Sequence, residues 1–134
     1  TAFFVEYVDQ LENSIKEQYP QLVLPSPLDE FSVLNRKSTM NSNERQFAKL
    51  LLSKDMVVYR EPRIQLCDSV PDFFVYNPRT FNGKLVEITL YPMRTNDDRK
   101  RRQIRNLELC GIPFVVLFRE QMQNIRQYCW NELF

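Results

Sequence analysis

The chain has 134 residues, 43% of them hydrophobic and 26% charged, with a net charge of +1, which fits one ordinary globular domain with a core of its own. It holds no histidine, two glycines and three cysteines without a C-x-x-C spacing. That composition argues against a zinc site, a Ser-His-Asp triad or a Cys-His pair, and against a P-loop or dinucleotide fingerprint.

No run approaches the roughly 18 apolar residues of a membrane span. The start, TAFFVEYVDQLE, is acidic and amphipathic, unlike a signal peptide. Cys67, Cys110 and Cys129 therefore read as reduced, buried thiols of a cytoplasmic protein that meets nucleic acid, with no membrane partner.

In chain order, Phe4, Val8, Leu11 and Ile15 fall at helical spacing and predict an amphipathic helix over 2–18. Pro20, Pro25 and Pro27 then force an extended connection. Residues 35–43 form a polar, slightly basic loop. A second helix runs from Glu44 to Lys54 on the stripe Phe47, Leu50 and Leu51. Glu44 follows Asn41 by three residues, so it is either the N3 member of a capping box or a carboxylate available to a site. Met56 to Leu66 predicts a strand, with Pro62 marking an edge or a bulge.

Asp72–Tyr76 and Leu85–Leu90 predict two strands of a hairpin, and Asn77 to Gly83 carries the turn chemistry between them. A third helix covers about 96–110 and ends at Gly111, the C′ position. Pro113 to Phe118 is a continuous apolar run, predicting a strand buried on both sides. Met122, Ile125, Cys129 and Leu133 mark a last helix, on which Trp130 is the candidate contact with a second subunit.

Charge is unevenly spread. Residues 1–34 hold six acids against Lys16 alone, a net −5 that leaves +6 on the remainder. The cations Arg94, Arg99, Lys100, Arg101, Arg102 and Arg105 cluster on or before the third helix. Such a cluster is either a solvated helix face or a seat for a polyanion such as nucleic acid.

The hairpin carries the chemistry. If it closes with Asn77 opposite Asn82, Asp72 falls opposite Glu87, and directly opposed side chains share one face at about 4.5–5.5 Å between Cβ atoms. In that register Phe73, Val75, Val86, Ile88 and Leu90 make an apolar face, while Asp72, Glu87 and Thr89 share the other. Two carboxylates that close repel unless a proton or a cation lies between them. Hard divalent cations are held this way, through one or two carboxylates and the phosphate oxygens of a substrate.

Pro71-Asp72, followed fifteen residues on by Glu87-Ile88-Thr89, and the segment Asn43-Glu44-x-x-Phe47-Ala48-x-x-Leu51 resemble the PD-(D/E)XK phosphodiesterase superfamily, the restriction-endonuclease-like nucleases. The similarity covers a little over half of the chain. It implies an α/β fold with a central mixed four-stranded sheet flanked by helices, in the order α-β-β-β-α-β over about 44–118. The segments 1–43 and 119–134 then add helices at both ends of a single domain. It also implies a Mg²⁺- or Mn²⁺-dependent DNA endonuclease of the homing or restriction kind. Asp72, Glu87 and the Ile88 carbonyl would hold the metal, with Glu44 as an outer ligand.

The family has a lysine where this chain has Thr89. The resemblance therefore assigns the missing role to a migrated group on the third helix, Lys100, Arg101 or Gln103. Double-stranded DNA would be the partner, and a homodimer or higher homo-oligomer would cut both strands. A catalytically silent DNA-binding or scaffold domain, and a nuclease acting on RNA, are the rival expectations.

Overall fold

A meander of three antiparallel strands extended by one parallel strand organises the protein. The structure, a computed structural model, describes residues 2–35, 39–67, 69–89 and 98–127. Strands β2 (Val57–Arg60), β4 (Phe73–Asn77), β5 (Asn82–Ile88) and β6 (Phe114–Leu117) lie in the spatial order β2-β4-β5-β6. The first two pairings are antiparallel and the third, β5 with β6, is parallel. A smaller sheet joins β1 (Leu22–Val23) to β3 (Arg63–Ile64).

The hairpin closes in the predicted register, with Asn77 opposite Asn82 and Phe73 opposite Val86. Its turn is held by Phe81 N–H donating to the Asn77 carbonyl at 2.9 Å and Arg79 N–H donating to Asn77 Oδ1 at 3.0 Å. The asparagine side chain mimics a backbone turn, which is why this residue type sits there.

One face is as the sequence reading has it and the other is not. Phe73, Val75, Val86, Val58 and Leu117 pack against α2 (Glu30–Leu34), α3 (Ser42–Ser53) and the C-terminal residues Met122 and Ile125. The opposite face was expected to be polar, yet Tyr59, Phe74, Tyr76 and Leu85 line it and bury against Leu11 and Ile15 of α1 (Ala2–Gln18) and Leu107 of α4 (Asp98–Leu109). Every residue of β4 is buried. Three layers, helix on sheet on helix, thus enclose two cores.

Other expectations are corrected. The segment 56–66 splits into β2 and β3, with Glu61 in the left-handed region (φ 51°) before Pro62. Strand β6 lies at the edge of the sheet with three of its four residues half-buried, so its apolar run does not mark a central strand. The short helix α2 was not foreseen; Asp29 caps it by accepting from Ser32 N–H at 2.7 Å. Helix α5 (Arg119–Gln123) and residues up to 127 follow the predicted last helix, whereas Tyr128, Cys129 and Trp130 lie outside the described residues.

Helix α3 begins with both halves of a capping box: Glu44 N–H donates to Asn41 Oδ1 at 2.9 Å, and Asn41 N–H donates to Glu44 Oε1 at 3.1 Å. Asn41→Ala is expected to cost about 1 kcal/mol, the usual loss at an N-cap, read as a lower urea midpoint with unchanged slope.

Candidate metal centre

The end of the β4–β5 ladder builds the site. The amides of Leu85 and Thr89 donate to the carbonyls of Pro113 and Leu117 on the β6 side, at 2.8 and 2.9 Å. Alternation along the strand then turns the amide and the carbonyl of Ile88 toward β4. There β4 has already ended, and the Asp72 side chain takes over its role. Asp72 Oδ2 accepts the Ile88 N–H at 2.6 Å, a short charge-assisted bond.

Glu87, the residue before Ile88 on β5, is buried at 4% exposure. Gln103 reaches down from α4 and donates Nε2–H to Glu87 Oε1 at 2.9 Å. Gln103, one of the residues assigned to reach the site, is thus joined to one of the proposed carboxylates. Thr89 is buried at 4% and is tied to β6 through its amide.

Glu44 is not part of this group. It sits on α3, which packs against the opposite face of the sheet, where its carboxylate serves the capping box and lies 3.9 Å from Arg60. Arg60 also donates to Thr39 Oγ1 at 2.8 Å. Spacing fitted both roles of Glu44, and the packing of α3 selects the cap. Among the described residues no three His, Cys, Asp or Glu side chains converge as a metal cluster.

The donors this strand end offers are the Asp72 carboxylate on the Ile88 amide, the Glu87 carboxylate of the preceding residue and the Ile88 carbonyl. This all-oxygen set fits a hard divalent cation such as Mg²⁺ or Mn²⁺ and suits no soft metal. The phenols buried in the second core supply no base. Burial holds the Tyr59 hydroxyl protonated, with the charge of Glu12 adding to the effect, and burial likewise raises Tyr76.

No family model, curated protein or solved structure matches the chain.

Arg99, Arg101, Arg102 and Arg105 are all exposed on α4, the helix that carries Gln103. Arg94 and the Lys100 side chain lie outside the described residues. A second basic surface escaped the sequence reading. Arg45 and Lys49 of α3 and Arg126 line a depression of about 490 Å³ that has no acidic residue in its wall. The i, i+4 spacing of Arg45 and Lys49 was a signal for it, but Arg126 joins them only through the packing of the C-terminal helix on α3. Among the described residues no helix is long and apolar enough to cross a membrane.

Proposed function

We propose that this chain is a metal-dependent phosphodiester hydrolase, an endonuclease acting on double-stranded DNA through a restriction-endonuclease-like core. One observation carries the reading: Asp72, just before β4, accepts the Ile88 amide, while Glu87, the residue before Ile88, accepts from Gln103 of the basic helix α4. With β3 set apart in the small sheet, α3 and the main-sheet run β2, β4, β5, α4, β6 support it, giving the order α-β-β-β-α-β with a parallel last strand.

Asp72, Glu87 and the Ile88 carbonyl would hold Mg²⁺ or Mn²⁺. When bound, the ion lowers the pKa of a water and offsets charge on the phosphate. The Ile88 amide fixes the Asp72 carboxylate, and Gln103 orients Glu87. Arg99, Arg101, Arg102 and Arg105 bind the nucleic-acid backbone as exposed charges, so affinity falls steeply with salt. Thr89 can hold a water by its hydroxyl but brings no positive charge, leaving that role to the Arg and Lys residues of α4. Cutting both strands with one site per chain requires two copies, which makes a homodimer or higher homo-oligomer part of the proposal.

The test is cleavage of supercoiled and linear duplex DNA with Mg²⁺ or Mn²⁺, and its loss in EDTA. Salt-sensitive binding without cleavage under any metal would replace the proposal with a silent DNA-binding or scaffold domain. Preferential cutting of RNA would move the substrate class instead.

Gln103→Ala is expected to slow cleavage by about 10–100-fold, the usual effect of removing a group that orients a metal ligand, while leaving duplex affinity unchanged. Equal losses of binding and cleavage would reduce Gln103 to a packing residue.

A further inference from the structure

Cys67 and Cys110 are 43 positions apart in the chain, yet the fold brings them together. Cys67 follows β3 and its amide donates to the Ile64 carbonyl at 3.2 Å; Cys110 follows α4 and its amide donates to the Leu107 carbonyl at 3.2 Å. Both side chains pack on the core between the sheet and α1 and α4, and both remain half-buried. They line one open depression of about 390 Å³, together with Gln21, Ile64, Asn106 and Leu109.

The two backbones that present the thiols are already tied to each other. Gln21 accepts Gln65 N–H at its carbonyl (2.8 Å) while its side-chain amide donates to the Cys110 carbonyl (3.0 Å). Asn106 Nδ2 donates to Ser69 Oγ at 3.2 Å. These bonds flank the pair and tie together the two segments that carry it.

We propose that Cys67 and Cys110 form a dithiol site that a low-molecular-weight disulfide oxidises to an intramolecular disulfide, stapling the end of α4 to the small β1–β3 sheet. The site is independent of any nuclease activity. Both thiols could be small apolar fillers, but their common place in the wall of an open depression leaves them within reach of a small reagent.

The exchange balances as follows. Cys67, as thiolate, attacks one sulfur of the disulfide RSSR, forming Cys67–S–SR and releasing one RS⁻. Cys110 loses its proton to solvent and attacks the Cys67 sulfur, forming the Cys67–Cys110 bond and expelling the second RS⁻. The protein gives up two protons and two electrons, and RSSR becomes two thiols. Burial, and the Cys67 thiol within hydrogen-bonding reach, push Cys110 up to about 11. A raised Cys110 thiol suits the second, resolving attack in this sequence.

The staple lies two helical turns from Gln103 on α4. Its loop would raise the melting temperature by roughly 10 °C.

The folded full chain, unsubstituted and as Cys129→Ser, is incubated with oxidised glutathione or with dithiothreitol. Intact mass, non-reducing peptide maps and melting curves are then recorded. The expected product is lighter by two hydrogens, carries no glutathione, links the Cys67 and Cys110 peptides and melts higher than the reduced form. Cys67→Ser and Cys110→Ser are each expected to retain glutathione on the remaining thiol of the pair, since nothing is left to displace it. Glutathione on both thiols of the unsubstituted chain, a link to Cys129 instead, or thiols that stay unmodified in the folded state would overturn the proposal.

Discussion

Asp72→Asn is expected to leave the protein folded and remove its cleavage activity. The asparagine keeps an oxygen to accept the Ile88 amide, which Asp72 Oδ2 now binds at 2.6 Å, so stability should change by no more than about 1 kcal/mol. What disappears is the negative charge. A hard cation loses one of two carboxylates, and the cleavage rate should fall by roughly a thousandfold, about 4 kcal/mol of transition-state stabilisation.

Asp72→Ala separates the two roles of this side chain. It leaves a part-buried amide without its acceptor, which costs about 1–3 kcal/mol on top of the lost activity. Glu87→Gln should resemble Asp72→Asn, because it keeps an acceptor for Gln103 and loses the charge. Duplex cleavage assays with Mg²⁺ paired with thermal melts read both quantities. If Asp72→Asn cuts as fast as the unsubstituted chain while Asp72→Ala is merely unstable, the carboxylate is a strand-end cap and the metal site is wrong.

Gly83→Ala is expected to destabilise the protein by about 1–3 kcal/mol, although it adds a single methyl group to a strand. A Cβ at position 83 would overlap Phe74 Cζ and lie 2.9 Å from Phe74 Cε2. The ring cannot swing aside at low cost. It is fully buried, stands edge-on to Tyr19 at 5.7 Å between centroids, and packs against Tyr59 at 6.3 Å. Glycine is needed here for space.

The partner variant is Phe74→Leu, which opens room at the cost of buried area. In the double variant the new methyl group fills part of that room. The combined loss should therefore fall short of the two single losses added together, by about 0.5–3 kcal/mol. Chemical denaturation of the four proteins measures the coupling. Additivity within about 0.5 kcal/mol would show that Gly83 and Phe74 do not compete for the same volume.

The hairpin register was readable because Asn77 and Asn82 bracket a turn and the period of two then carries every later pairing along the strands. The long helices and their order were readable from apolar spacing and from Gly111, whose φ of 73° is the left-handed cap expected after α4. The same register carries Asp72 to the end of β5, where it accepts the Ile88 amide beside Glu87, so that part of the candidate site was legible before the fold.

The rest depended on which surfaces meet. Phe74, Tyr76 and Leu85 alternate with the residues of the first core and carry no mark of what covers them. Only the packing of α1 and α4 makes their face a second core and brings Gln103 onto Glu87. The apolar run of β6 is the same whether a strand lies inside a sheet or at its rim, and neighbouring strands decide. Glu44 fits a cap or a metal equally well by spacing, until α3 settles on the far side of the sheet next to Arg60. Cys67 and Cys110 have no local relation at all. Local pattern determines turns, periods and faces, because those depend on bonds and contacts within a few residues. Which face lies on which, and therefore which distant side chains become neighbours, is settled by burying the largest apolar area across the whole chain at once.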